Sequence, residues 1–229
     1  MLILALDTAT KVCSVALAQD QEILAAYDVT LGLTHSESLL PQIDQLFART
    51  GVARETIEQV AVSIGPGSFT GLRIGLAAAE AMAYAWQCGI CGVNTLKALA
   101  YNVPVAGITL IPVLDAQKGN YYHGIYIWRD QKLVEQKPIS IMSGQEILAA
   151  AAAVPQPVLL LGEAAKLAKT GLPANVNLAP EQVRFPKAGS VALAAQDPAC
   201  VQGNDMFKLA PYYLRQSEAE ELWQKKHPQ

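Results

Sequence analysis

Cysteine and histidine are scarce in this sequence: its 229 residues include four cysteines and three histidines. Cys88 and Cys91 form the only C-x-x-C pair, a spacing that occurs in redox motifs and in half of a zinc site. Redox motifs of this kind precede a helix, whereas this pair follows a helical segment and leads into the strand-like segment ICGV. We therefore expect small buried residues in a reducing compartment, and neither a metal nor another cofactor.

Charged residues and long apolar runs are also limited. Charged residues make up 16% of the chain, the net charge is -3, and the one pair of adjacent lysines, Lys225 and Lys226, lies near the end. A protein that binds nucleic acid by itself needs a basic surface, so we expect no such binding by this chain alone. No apolar run approaches the roughly 18 residues of a membrane-spanning helix, and the first residues lack the basic segment of a signal peptide. The sequence predicts a cytoplasmic globular protein without membrane contact.

The pattern of apolar residues predicts an α/β protein with a mixed sheet covered by helices. Three strand-like segments open the chain: LILALDT, CSVALAQ and ILAAYDV. A helix follows, from a capping box of Thr34 and Glu37 to about Gly51, with Pro41 inside it. The strand QVAVSIG then leads into a glycine-rich stretch and a helix over about residues 70–87, and another strand and helix come after it.

A second series of strands repeats the first faintly. It starts between residues 104 and 111, and an aspartate ends the leading strand of each series, Asp7 in LALDTAT and Asp115 in PVLDAQKG. We expect an N-terminal domain over residues 1–103, a smaller C-terminal domain over residues 104–216, and a loose tail over residues 217–229.

The stretch GPGSFTGLRIG, from Gly65 to Gly75, allows two interpretations. A dinucleotide-binding loop needs G-x-G-x-x-G and an acidic residue about 20 positions later, but here Gly71 comes one position late and the acid is missing. A P-loop needs a lysine that this stretch lacks. The favoured alternative is structural, with glycines that give backbone freedom, Ser68 or Thr70 as helix cap, and Phe69 as an anchor in the core. Phosphate binding is the less favoured reading.

The helix that follows places Gly75, Ala79 and Ala83 four residues apart, which forms a row of small residues. Such a row lets another helix approach closely and increases dispersion contacts. Because the helix is apolar on its other faces too, composition alone leaves two uses open: internal packing, or packing against a partner protein.

Other catalytic chemistry has weak support. No G-x-S-x-G motif is present, and His35 in LTHSES better fits the start of a helix than a general base. A helical metal site would need a second histidine where Leu39 stands. Asp7 and Asp115 are the best catalytic candidates, since carboxylates at two strand ends can hold hydrated magnesium.

Five segments resemble the TsaB (YeaZ) family of bacterial threonylcarbamoyladenosine synthesis. They are ILALDTATKVCSVAL, HSESLLPQIDQLF, GPGSFTGLRIG, GVNTLKALA and APYYLRQSEAE, and they extend over nearly the whole chain. The resemblance implies a two-domain actin-like (ribonuclease H-like) α/β fold with β-β-β-α-β-α order in each half, as in acetate kinase, sugar kinases and Hsp70. It also implies a non-catalytic subunit that binds the threonylcarbamoyltransferase TsaD as a heterodimer, meets the ATPase TsaE through the complex, and forms a homodimer when alone. Direct tRNA binding by this chain alone is not expected.

At two positions this sequence differs from the catalytically active relatives that the resemblance implies, and at a third it differs from the usual residue of the family. Kinases of this superfamily have a glycine where Ala9 follows Asp7 and Thr8, and TsaD has a second histidine where Leu39 stands. An arginine is frequent in the family at the position of Gln117. The resemblance therefore implies at most a degenerate nucleotide site, made of Asp7, Thr8 and Asp115.

The resemblance assigns partner binding to the helices predicted over residues 34–50 and 70–87. The expected interface residues are His35, Leu39, Pro41, Ile43, Phe69, Thr70, Arg73, Gly75, Ala79, Met82 and Ala83. A stand-alone actin-fold ATPase or kinase, with magnesium between Asp7 and Asp115, is the alternative. A metallopeptidase is a third possibility, which Leu39 disfavours.

Overall fold

The fold consists of two mixed β-sheets with helices packed on them, and the computed structural model describes residues 1–30, 35–198, 200–202 and 209–214. The strands of the first sheet are β1 (Leu2–Asp7), β2 (Cys13–Gln19), β3 (Glu22–Val29), β4 (Gln59–Gly65), β5 (Gly89–Asn94) and β11 (Val201–Gln202). The strands of the second are β6 (Thr109–Asp115), β7 (Asn120–Arg129), β8 (Lys132–Ser143), β9 (Val158–Gly162) and β10 (Val176–Leu178). The α-helices are α1 (His35–Thr50), α2 (Phe69–Trp86), α3 (Thr95–Tyr101), α4 (Gly144–Ala152), α5 (Ala165–Ala168), α6 (Glu181–Arg184) and α7 (Ala188–Ala194).

Both sheets use the same strand arrangement. In the first, β3, β2 and β1 are antiparallel neighbours, and β4 and β5 continue from β1 in parallel. In the second, β8, β7 and β6 are antiparallel neighbours, and β9 and β10 continue from β6 in parallel. The only addition in the described residues is β11, which pairs with β5 in the first sheet. The duplicated α/β plan that the two series of strands predicted is confirmed.

Local sequence explains where the main elements begin and end. All six residues of β1 are buried, because this strand lies in the middle of a sheet that is covered on both faces, whereas the edge strand β3 is largely exposed. Helix α2 begins after Ser68 and ends where Gln87 adopts a left-handed conformation, within one residue of the predicted bounds. Helix α1 continues through Pro41, which is exposed. Thr34, the predicted cap of α1, lies outside the described residues.

Four helices enclose the first sheet. On one face, α1 and α2 contribute Leu39, Ile43, Leu76 and Ala79 to a core that includes inward residues of β1, β2 and β4. On the other face, α3 and α7 cover the smaller side chains of the same strands. Helix α3 also contributes Leu96 and Leu99 to a core that it shares with β6 and β7, so it joins the two sheets.

The last described segments return to the first sheet. Helix α7 and strand β11 follow the second sheet along the chain, yet both pack on the first. The predicted division into residues 1–103 and 104–216 stays a prediction, and we propose that residues 188–202 belong structurally with the first sheet. The predicted tail, residues 217–229, lies outside the described residues. Among the described helices, none has the length and apolar character that crossing a membrane would require.

Candidate partner-binding surface

The carboxylate of Asp7 is enclosed at the end of β1. Its side chain is fully buried, and it accepts hydrogen bonds from the hydroxyl of Ser63 and, at 3.1 Å, from the backbone N–H of Ala9. Burial raises the pKa of Asp7 to about 6, because desolvation disfavours the charged form more than these two hydrogen bonds favour it, and the charge of Asp28 adds to the rise. Asp7 therefore offers no exposed charge to a ligand.

The glycines of GPGSFTGLRIG bring α2 into direct contact with the loop that follows β1. A side-chain carbon at Gly71 would overlap the carbonyl oxygen of Thr8, and one at Gly67 would lie 2.5 Å from the carbonyl oxygen of Ala9. The hydroxyl of Thr8 uses this close approach to donate to the carbonyl oxygen of Gly71 at 2.7 Å. Glycine is required at these positions because any larger residue would push the helix away from the loop.

The start of α2 is fixed by Ser68. Its hydroxyl accepts from the N–H of Gly71 at 3.2 Å, and its own N–H donates to the carbonyl oxygen of Ala9 at 2.7 Å. Of the two predicted caps, Ser68 is thus the one used, while Thr70 is exposed. The N–H groups of Ser68 and Gly71 are thus engaged by the chain itself, and Thr8 is 1% exposed.

Asp115 has different surroundings from Asp7. Its side chain is 36% exposed and accepts from the N–H of Gln117 at 2.6 Å and from the ammonium of Lys166 at 3.3 Å. These contacts lie at the end of β6, and none of them reaches Asp7. Within the described residues, no three histidine, cysteine or carboxylate side chains come together as metal ligands would. The structure does not show the two aspartates as one site.

The predicted row of small residues on α2 faces inward. Ala79 and Ala83 are fully buried, and Gly75 is so close to Thr8 that a side-chain carbon there would overlap the Thr8 hydroxyl. Leu39 and Ile43 of α1 are 2% and 3% exposed in the same core. These five residues of the expected interface pack internally, so they cannot form the outer surface without disrupting the core.

A second row of small residues lies on the outer face of α2. Ala77, Ala81 and Ala85 are exposed and are also four residues apart. Sequence analysis missed this row because it has the same spacing as the inner one. The distinguishing signal is the large apolar residues on α2: Leu72 and Leu76 flank the inner row and are buried.

Exposed aromatic and aliphatic side chains accompany the outer row. Tyr84 of α2 and Leu40 of α1 are 58% and 57% exposed. Of the rest of the expected interface, Pro41, Phe69, Thr70 and Arg73 are exposed, whereas His35 and Met82 are only partly exposed and Met82 packs against the core. Both helices cover the same face of the first sheet, and an edge-to-face contact of Phe47 with Trp86, at 5.6 Å between ring centroids, joins them.

One end of this outer surface carries a stack of three side chains. The guanidinium of Arg73 lies 3.9 Å from the ring centroid of Phe69, and the Phe69 ring stacks on Tyr213 at 5.0 Å. Nε of Arg73 donates to the hydroxyl of Tyr213 at 3.1 Å. Sequence analysis did not find Tyr213, because 140 residues separate it from Arg73. The contact fixes two exposed side chains that would otherwise be free to rotate.

His35 has a structural contact at the start of α1. Its Nε2 lies 2.9 Å from the carbonyl oxygen of Thr10, so the ring donates a hydrogen bond to the loop between β1 and β2. A nitrogen that donates in this way is not available as a general base. The placement agrees with the expectation that His35 belongs to the start of a helix.

Comparison with known proteins identifies the family. Residues 31–223 match the family model described as TsaD: tRNA N6-adenosine threonylcarbamoyltransferase, which is most of the chain. The chain belongs to this family.

Relatives within the TsaD family support the resemblance found in the motifs. The chain is 28% identical over 229 residues to the tRNA threonylcarbamoyladenosine biosynthesis protein TsaB of Bacillus subtilis, covering 97% of this chain and 98% of that protein. It is 34% identical over 128 residues to TsaB of Escherichia coli, covering 55% of each. The solved structure of YeaZ from Pseudomonas aeruginosa superposes with a TM-score of 0.77 at 24% identity, covering 93% of this chain and 99% of that one. The predicted resemblance to TsaB (YeaZ) and the predicted duplicated α/β fold are confirmed.

Proposed function

We propose that this chain is a non-catalytic subunit in tRNA threonylcarbamoyladenosine biosynthesis that binds a TsaD-type transferase. The names of the TsaB relatives support the pathway. The binding surface is the outer face of α1 and α2, defined by Leu40, Phe69, Arg73, Ala81 and Tyr84. In the absence of the transferase, the same surface forms a homodimer, and TsaE joins through the complex.

The observation that carries this proposal is the composition of the outer face. Leu40 and Tyr84 are more than half exposed, so a partner bound to this face would remove apolar surface from water. The exposed alanines of α2 have short side chains, which allow a helix of the partner to approach closely. An interface of ordinary size would cover roughly 800 Å² on each partner, an area that two adjacent helices can supply.

The Arg73 stack suggests where binding energy concentrates. Aromatic residues and arginine dominate the energetically important positions of protein interfaces. Phe69, Arg73 and Tyr213 already hold one another in place, so binding would cost little side-chain entropy. We expect this end of the surface to contribute more than the alanines, whose role is to allow close approach.

The enclosed end of β1 supports the non-catalytic part of the proposal. Asp7 and Thr8 occupy the position that the resemblance assigns to a nucleotide site, but both are buried and hydrogen-bonded beneath α2. A nucleotide phosphate would have to displace the start of α2 to reach them. The alternative function, an ATPase acting alone, therefore lacks an accessible site at this strand end.

The surface can be tested with one substitution. Ala81→Arg places a long charged side chain on the outer row without touching the core, so the protein should remain folded while its affinity for the TsaD-type transferase of the same organism falls at least tenfold. Isothermal titration calorimetry measures the affinity, and sedimentation measures whether the homodimer is lost as well.

A matched control is available in the second half of the chain. Ala149 is exposed on α4, so Ala149→Arg makes the same chemical change away from the surface. It should leave both associations intact. If Ala81→Arg binds the transferase as tightly as Ala149→Arg, the proposed surface is wrong.

A further inference from the structure

The second half of the chain contains a pocket that the proposed function does not use. It has a volume of about 590 Å³ and lies between β7, β8 and the C-terminal end of α4. Ile125, Ile127, Ala150 and Val154 form its apolar part. Pockets of this size are typical of small-molecule sites.

An irregularity in the sheet shapes this pocket. Ile125 of β7 pairs with Lys137 of β8, but the next residue, Tyr126, pairs with Glu135. Gln136 is therefore an extra residue on β8, which is a β-bulge. Gln136 and Lys137 both line the pocket, so the bulge adds two polar side chains to a lining that also contains Thr109, Arg129 and Gln156. Bulges frequently redirect side chains next to binding sites.

The charge of the pocket has one sign. Arg129 and Lys137 line it, and none of its lining residues is acidic. Within the part of the chain that the structure describes, neither cation forms an ion pair. Two cations beside a partly apolar cavity are complementary to a small organic anion with an apolar tail, because the head gains charge-assisted hydrogen bonds while the tail leaves water.

We propose that this pocket binds a small organic anion that has an apolar tail of medium length. The anionic head, which is a carboxylate or a phosphate, binds one of the two cations, either Lys137 opposite Ile125 or Arg129 farther along β7, and the tail lies against Ile125, Ile127 and Val154. The site is separate from the surface on α1 and α2, so it does not depend on the proposed function.

Calorimetry on the whole chain tests the proposal, with octanoate and octyl phosphate as anionic probes and octanol and octylamine as neutral and cationic controls. Octanoate or octyl phosphate should bind, the tighter of the two should identify the head group, and octylamine should not bind. Each methylene added between butanoate and octanoate should tighten binding about fourfold while the tail remains inside the pocket. Amide shifts in an NMR spectrum should change at residues 125–129 and 136–137.

Variants then separate a specific site from general adsorption. The double variant Arg129→Gln with Lys137→Gln should weaken binding of the anionic probe at least tenfold, whereas Lys169→Gln, on an exposed lysine away from the pocket, should leave it unchanged. Equal affinity in the double variant and in wild type would overturn the proposal. So would the absence of binding of both anionic probes to the wild-type protein, or equal binding of octylamine.

Discussion

Replacing Asp7 with asparagine should change how stability depends on pH. Burial raises the pKa of Asp7 to about 6 in the folded protein, against about 4 in an unfolded chain. Because the folded value is the higher one, the stabilising contribution of the protonated carboxyl is complete below pH 4. It is lost as the pH rises through 6.

The size of this effect follows from the two pKa values. A difference of about two pKa units corresponds to about 3 kcal/mol of unfolding free energy by the time the pH reaches 7. Asparagine has no proton to lose and resembles the protonated acid in shape and charge. The Asp7→Asn variant should therefore gain stability relative to wild type as the pH rises, by about 2 kcal/mol between pH 4 and pH 7. Its absolute stability also depends on whether Ser63 can turn its hydroxyl to accept from the new amide.

Urea unfolding followed by circular dichroism at pH 4, 5, 6 and 7 measures this difference directly. Asp44→Asn is the control, since the side chain of Asp44 is 72% exposed and its ion pair with Arg54 should be worth less than about 1 kcal/mol. The reasoning is refuted if the difference between Asp7→Asn and wild type stays constant over this range.

Two further substitutions test the contacts at the start of α2. Gly71→Ala would press a methyl group against the carbonyl oxygen of Thr8 and should cost about 1–3 kcal/mol in urea unfolding. Gly189→Ala in α7 is its control, because the new methyl group would lie 3.5 Å from Ile23 and should stabilise by up to about 1 kcal/mol; effects of the same sign would contradict the argument. Ser68→Ala removes the helix cap and should cost about 1 kcal/mol, and an unchanged unfolding midpoint would show that the cap is unimportant.

The order of strands and helices could be predicted because it depends on local patterns. The strand-like openings of both halves, the bounds of α2 and the use of glycines between strand and helix all follow from periodicity and turn residues within short windows. Asp7 and Asp115, at the ends of the two leading strands, indicated that the second half repeats the first. Each of these features is visible without knowledge of which parts of the chain meet.

The faces of α2 could not be predicted in the same way. Alanine occupies both the inner row, with Ala79, and the outer row, with Ala81, so hydrophobicity does not tell the two apart. Which row is buried is decided by the contact of Gly71 with Thr8, and that contact joins residues 63 positions apart. Tyr213 and the bulge at Gln136 were missed for the same reason, because only the paired strands or the folded chain reveal them.

The return of α7 and β11 to the first sheet affects how the protein is made. These segments cover one face of that sheet and extend its edge at β5, although the ribosome delivers them after the strands of the second sheet. While the polypeptide emerges, the alanine-rich face of β1, β2 and β4 on which α7 packs remains open to water or to other nascent chains. It stays so until about residue 200 has left the exit tunnel. The amino-terminal half therefore completes its structure only after the strands of the second sheet have been synthesised.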